Sequence, residues 1–304
     1  MILRCNFTRS LPLLHSHVSS CLLKRMSVEN KSSHLDLTAK DKDKTPVISP
    51  ASVDKVWSLS PTVKSLKLYV NHYKNMSFKA GQWLDLMIPN ISRIGGYSMV
   101  SSPVRFEKDG ILQLAVKFSD HAPTYWVHKQ CAVGNTVSIS FGGEVFYDPK
   151  PEDSSQDLLL IGGGIGVNPL CSIMNRVADF NLAKQSTENS SGYQPGNTLL
   201  LYSSSTASEL LFKDDLDLLQ KKHDNIHCRY FVTQEESKTD DIAAHRMTTA
   251  DIEEAFNLID KKNCQVYICG PVGFIDDMEK ILINLEVDSD HIQIESCQCS
   301  RSIL

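Results

Sequence analysis

Two hydrophobic periods divide this chain. From about Pro46 to Pro149, apolar residues recur at every second position in short runs. Leu66, Leu68 and Val70 alternate with Ser65, Lys67 and Tyr69; Leu112, Leu114, Val116 and Phe118 with Gln113, Ala115 and Lys117; Val137, Ile139 and Phe141 with serines. A period of two puts alternate side chains on one face of a strand, and runs broken by Asn, Gly and Pro predict an antiparallel barrel or sandwich. From about Asp157 the period changes. Apolar strands at 158–162, 198–203, 228–233 and 265–270 alternate with helical stretches near 167–180, 207–222, 249–261 and 272–285. Strands apolar on both faces, separated by amphipathic helices, predict a parallel sheet covered on both sides. Thr248 or Thr249, ahead of the acid-rich run 250–256, marks a helix start with a capping oxygen and a favourable first turn. The polar stretches 185–197 and 235–245 predict surface loops.

A length of 304 residues accommodates about two domains at the usual ~100–200 residues each. The apolar fraction, 41%, is enough to fill both cores, and the net charge of −5 obliges no face to bind nucleic acid. No apolar run approaches the ~20 residues of a membrane-spanning helix, which reads as a soluble chain. Residues 1–28 differ from the rest, carrying Arg4, Arg9, Lys24, Arg25 and several serines with no acid before Glu29. That composition predicts a mitochondrial presequence, and the charged stretch 29–45 a flexible linker. The nine cysteines fall at irregular spacing, a poor disulfide framework that fits a reducing compartment. No four-cysteine cluster motif is present, and the C-x-C of Cys297 and Cys299 has no ligand partners nearby in sequence, so both read as incidental thiols and no metal is expected.

Candidate chemistry begins where the period changes. Leu158 to Ile161 form a buried strand that runs into Gly162, Gly163, Gly164, Ile165 and Gly166, and a helix opens near Val167, Asn168 and Pro169. Glycines let a backbone approach a diphosphate, and free N–H groups with the helix dipole stabilise its charge. Proline early in the helix loses a donor that has no intrahelical partner. Strand, glycines, proline and helix in this order point to nucleotide binding. A second cluster, Cys269, Gly270 and Pro271, ends a later strand, at the edge where parallel sheets bind ligands. Cys269 reads there either as an inert core thiol or as a site residue.

Over residues 46–296 the chain resembles the ferredoxin–NADP reductase superfamily. Phe78-Lys-Ala-Gly81-Gln82-Trp83 is similar to its F-x-x-G-Q-aromatic strand entry. Gly96-Tyr97-Ser98-Met-Val-Ser101 is similar to its R-x-Y-S-x-x-S flavin motif, and Gly142-Gly143-Glu144-Val145-Phe146 to the segment that closes its barrel. In the second half, Gly162 to Pro169 resembles G-x-G-x-x-P, Tyr202 to Phe212 resembles Y-x-x-R-x-x-x-E-L, and Cys269-Gly270-Pro271 resembles C-G-P. The resemblance implies an antiparallel flavin-binding β-barrel over 46–150, followed by a doubly wound parallel-sheet NAD(P)-binding α/β domain over 151–304. It implies FAD as cofactor and NAD(P)H as hydride donor, with electrons passing to an acceptor that the sequence does not identify, a protein or a small molecule. Tyr97 would lie against the flavin ring, Ser98 near its hydride acceptor, and Thr124 at the flavin diphosphate. Cys269 would sit beside the nicotinamide, and Glu295 is either the late acidic residue of that site or a solvated strand-end acid.

Departures from the pattern bear on the same residues. The flavin-motif arginine is Gly95, and a lost charge-assisted bond to phosphate costs ~1.5–3 kcal/mol of binding. The glycine three residues before Thr124 is His121. The arginine that meets the 2′-phosphate of NADP is Ser205, which leans the reading toward NADH. No aromatic residue follows Glu295. The alternative to a flavoenzyme is therefore a non-catalytic nucleotide-binding protein that has lost its flavin.

Overall fold

The computed structural model describes residues 47–186, 192–236 and 239–297. The expected presequence (1–28), linker (29–45) and Cys299 lie outside the described residues. The first half forms a six-stranded antiparallel sheet from β1 (Ser49–Ser58), β2 (Val63–Val70), β3 (Trp83–Met87), β4 (Gly95–Ser98), β5 (Ile111–Lys117) and β6 (Thr136–Gly142), in the order β4-β3-β6-β1-β2-β5. The alternating positions point inward: Leu66, Leu68, Leu84, Leu86, Leu112, Leu114 and Ile139 are wholly buried in one cluster. Both edges of the sheet meet. Met99 bridges Leu114, and the Val100 N–H donates to the Gln113 carbonyl at 2.8 Å, so β4 and β5 close a barrel and leave no exposed edge there.

Two helices interrupt this half: α1 (Pro103–Asp109) and α2 (Ala122–Lys129). The period-two reading omits both. For α1 the local signal is complete, since Ser102 Oγ accepts from the Arg105 N–H, Pro103 occupies the first turn and Gly110 terminates it. A helix of two turns is simply too short to impose its own period between strands.

The second half is a six-stranded parallel sheet of β7 (Asp157–Gly163), β8 (Thr198–Ser204), β9 (Ile226–Val232), β10 (Ile242–Ala243), β11 (Cys264–Gly270) and β12 (Ile292–Ser296), in the order β10-β9-β8-β7-β11-β12. Helices α3 (Val167–Ser186) and α4 (Lys213–Lys222) cover one face, and α5 (Thr249–Ala255) and α6 (Val272–Asn284) the other. The chain is thus the expected barrel plus doubly wound sheet, with corrections in detail. The helix expected over 207–222 begins only at Lys213, because Phe212 adopts a left-handed conformation (φ 61°) and breaks the run. The helix expected over 249–261 stops at Ala255, and Asp260 instead accepts from the Lys262 N–H to start a separate 3-10 turn. The stretch 235–245, expected as a loop, contributes the two-residue strand β10 to the sheet edge. At the start of α5, the Asp251 carboxylate accepts from both the backbone and the hydroxyl of Thr248, fixing Thr248 as the cap.

Barrel and sheet share a seam. Val63, Ala80, Val100, Ala115 and Tyr147 of the first half pack in one cluster with Val167, Leu170, Ile173 and Met174 of α3. Within that seam, Asn168 Nδ2 donates to the Ala115 carbonyl (2.8 Å), Ser172 Oγ to Ser101 (2.7 Å) and Asn175 Nδ2 to Val100 (3.2 Å). The spacing of four and three residues places these donors on one helix face. Ser172 is fully buried. Ser172→Ala leaves the Ser101 carbonyl without its donor, and is expected to destabilise the chain by about 1–3 kcal/mol, lowering Tm by roughly 3–8 °C. Thermal unfolding followed by circular dichroism checks this; an unchanged Tm would remove the seam's polar bonds from the account.

Candidate functional site

The order of the parallel sheet reverses between β7 and β11, and the crevice beyond the carboxyl ends of those strands is where such sheets bind ligands. The register delivers the sequence candidates to that crevice. Cys269 pairs with Gly162 of β7 on one side and with Glu295 of β12 on the other. Gly164 has φ +55°, a left-handed conformation suited to glycine, and nothing lies within 4 Å of where its Cβ would be. One 3-10 turn, Gly164–Gly166, then feeds α3. Gly166 is needed for another reason: a Cβ there would run into the carbonyl group of Cys269. Opposite, the Phe274 ring covers Gly163 and Gly270, where added Cβ atoms would lie 2.9 and 2.7 Å from it. The turn therefore has a packed side and an open side. Pro169 is the third residue of α3, where an N–H has no intrahelical acceptor. Ile165 is half-buried, and Val167 and Asn168 are buried at the seam. The Asn168 Oδ1 has no donor among the described residues. A buried acceptor left unmatched costs about 1–3 kcal/mol, and its place beside the glycine turn fits a bound polar molecule.

On the barrel side the candidates are differently disposed. Ser98, half-buried, ends β4 opposite Trp83. Two residues on, Val100 accepts from Asn175, so the flavin-motif segment is joined directly to the helix that follows the glycine turn. Tyr97 and Thr124 are buried, and their hydroxyls are bonded to each other at 3.0 Å. The Tyr97 ring lies over Gly95: a Cβ at 95 would be 2.5 Å from Tyr97 Cε2 and 2.9 Å from Pro123 Cβ. No longer side chain fits at 95 while Tyr97 holds this position. Pro123, in the first turn of α2, also removes a donor from the helix end where a diphosphate would be sought. Ser98 thus stands at the end of β4, while Tyr97, bonded to Thr124, fills the space over Gly95.

Similarity to known proteins agrees with this architecture. Residues 160–280 match the oxidoreductase NAD-binding domain family. Over 276 residues the chain is 40% identical to oxidoreductase NAD-binding domain-containing protein 1 of Bos taurus, covering 89% of this chain and 87% of that one. The chain belongs to that family. In structure it is similar to the flavohem-like FAD/NAD-binding domain of nitric oxide dioxygenase from Vibrio cholerae (TM-score 0.64, 20% identity, 82% of this chain and 98% of that one). It is similar too to a ferredoxin NADP+ reductase from Neisseria gonorrhoeae with bound FAD and NADP (TM-score 0.64, 18% identity, 82% and 98%). The fold of this family member is thus that of the ferredoxin-reductase-like oxidoreductases, with an NAD-binding domain.

Other features of this family member complete the edge. Ser205 follows the carboxyl end of β8, and its carbonyl accepts from the Gln234 N–H at 2.9 Å. Ser204 donates its hydroxyl to the Glu209 carbonyl (3.0 Å), while the Glu209 carboxylate accepts from Thr62 of the barrel (2.8 Å). Two clefts, of about 370 and 480 Å³, lie away from these residues, around Asp148, Tyr147, Tyr193 and Tyr267. No cluster of potential metal ligands occurs among the described residues. Ser172 and Asn175 went unmarked in the sequence, visible only as polar residues on the helix face that begins with Asn168.

Glu295 is half-buried at the end of β12, and burial, with the charge of Glu144 from the barrel's closing segment, raises its pKa to about 7. For an acid raised on folding, the stability is whole below the unfolded value near 4.5 and is lost as pH rises through about 7. Glu295→Gln should therefore match the parent near pH 4 and exceed it above pH 7 by roughly 1–3 kcal/mol, discounted for partial exposure. Urea unfolding across pH measures the difference; parallel stability curves would sink the assignment.

Proposed function

We propose that the chain is an NAD(P)H-dependent oxidoreductase in which a hydride leaves the nicotinamide for a flavin seated against the barrel, FAD by family likeness, and electrons pass on to a separate acceptor. The observation that carries this reading is the convergence of the open glycine turn, Cys269-Gly270-Pro271 and Glu295 at the switch point, with the flavin-motif segment bonded to the same helix. The backbone of Gly164 to Gly166 and the first turn of α3 would hold the dinucleotide diphosphate. Cys269, Pro271 and Glu295 would bound the nicotinamide, and Glu295, protonated below about pH 7, would offer a donor to its carboxamide. Ser98, Tyr97 and Thr124 would hold the flavin. A bound flavin supplies two-electron acceptance from nicotinamide and stepwise release to an acceptor. The protein's part is to orient the two rings and keep water from between them.

NADH is the better-supported donor. The position that would meet a 2′-phosphate is Ser205, the neighbouring Ser204 hydroxyl is committed to Glu209, and the Glu209 carboxylate adds negative charge at this edge. The other reading, a protein that binds dinucleotide without flavin, is favoured by Tyr97 lying over Gly95 and bonded to Thr124. A visible spectrum of the purified full chain, incubated with FAD and then titrated anaerobically, separates the two. On the first reading a flavin band forms and bleaches with NADH at lower concentration than with NADPH. A chain that binds NADH yet stays colourless with FAD overturns it in favour of the second.

The mitochondrial reading of residues 1–28 rests on their basic, acid-free composition alone. A fluorescent reporter carrying those residues is expected to enter mitochondria, and diffuse fluorescence would refute it.

A further inference from the structure

Beyond the nucleotide turn, the end of β12 brings together two residues that the sequence keeps apart. Cys269 is the next-to-last residue of β11, and Cys297 lies just past β12, its N–H donating to the Gly270 carbonyl at 3.1 Å. The parallel register pairs Cys269 with Glu295, so Cys297, two residues on, returns to the same face. The two sulfurs are 3.6 Å apart. Cys269 is buried and Cys297 half-buried, so one thiol is sheltered and the other is within reach of solvent.

We infer that Cys269 and Cys297 form a redox dithiol that closes to a disulfide by exchange with a low-molecular-weight disulfide. The accessible Cys297, as thiolate, attacks one sulfur of the small disulfide and expels the other half as a thiol. Cys269 then attacks the Cys297 sulfur of the mixed disulfide, forming the Cys269–Cys297 bond and releasing the second half. Two protein thiols are oxidised, one small disulfide is reduced to two thiols, and the two protons pass to the departing sulfurs. The approach needed is about 1.5 Å, from contact distance to an S–S bond of ~2.05 Å. Cys297 is offset by two residues from the partner of Cys269 and lies past the last paired residue of β12. Closure therefore takes side-chain rotation together with a shift of the backbone at Cys297. Cys297 thus has a thiol neighbour supplied by strand register rather than by sequence proximity.

The site also has a consequence that rests on the nucleotide reading. Closure draws the Cys269 sulfur toward Cys297, beside the place assigned to the nicotinamide, so bound NADH and the closed form exclude each other. The test uses the full chain incubated with oxidised glutathione, with and without NADH, then alkylated and mapped by peptide mass spectrometry. The expected product is a Cys269–Cys297 crosslink, removed by dithiothreitol and formed more slowly with NADH. Cys269→Ser should instead retain glutathione on Cys297, while Cys297→Ser leaves position 269 unmodified. A lasting glutathione adduct on Cys297 of the parent chain, or a Cys297–Cys299 crosslink, would overturn the dithiol. NADH binding, measured separately by quenching of intrinsic fluorescence, tells the two ideas apart. Equal crosslinking rates in a chain that does bind NADH overturn the exclusion, whereas absent binding counts against the nucleotide reading and leaves the dithiol result standing.

Discussion

The carbonyl oxygens of Val100, Ser101 and Ala115 face out of the barrel wall into a buried seam, where water cannot reach them freely. Helix α3 supplies Asn175, Ser172 and Asn168 to meet them. A buried carbonyl without a donor costs more than a satisfied one contributes, so these bonds fix the helix's rotation and its depth against the barrel more strictly than apolar contact alone. The same helix opens at the glycine turn. Its first residues are therefore placed from two directions, by the barrel through Asn168 and by β11 through the close approach of Gly166 to the Cys269 carbonyl. Any molecule lying across the open side of Gly164 meets a turn whose position is set by both halves of the chain.

What could be read from the sequence follows from the range of the forces involved. The glycine turn and the Cys269-Gly270-Pro271 cluster were legible because strand, turn and helix are consecutive and each carries a local signature. The fold class was legible because period two and continuous apolar strands describe different sheets. The closure of the barrel at Met99 and Leu114 was not, since it depends on strand curvature and register. Helices α1 and α2 escaped because two turns do not establish a period against flanking strands. Phe212, which delays α4, gave no sign, as a left-handed phenylalanine is set by its tertiary surroundings rather than by its own preference. Cys269 and Cys297 stand 28 residues apart, and only the pairing of β11 with β12 makes them neighbours.

Gly95 shows how a departure from a family pattern changes meaning once packing is known. In sequence it is a missing charge. In the fold it is space, taken by the ring of Tyr97, whose hydroxyl is bonded to Thr124. The three positions act together: a side chain at 95 would meet the Tyr97 ring and Pro123, and displacing Tyr97 would break its bond to Thr124. Tyr97 thus occupies the space beside Gly95 and holds Thr124, and Pro123 removes an N–H from the start of α2.

Electrostatics also link the two halves of the chain. Glu295 belongs to the last strand of the sheet and Glu144 to the barrel's closing segment, yet the charge on one raises the pKa of the other. Burial of Glu295 is the larger cause of the rise, and Glu144, being exposed, adds a repulsion that solvent screens. A ligand that neutralises or displaces Glu144 removes the smaller part of the rise at Glu295 and leaves the part due to burial. The coupling requires no movement of one half against the other. It requires only that the barrel's closing segment and β12 keep their places, to which the bonds from α3 to the barrel contribute.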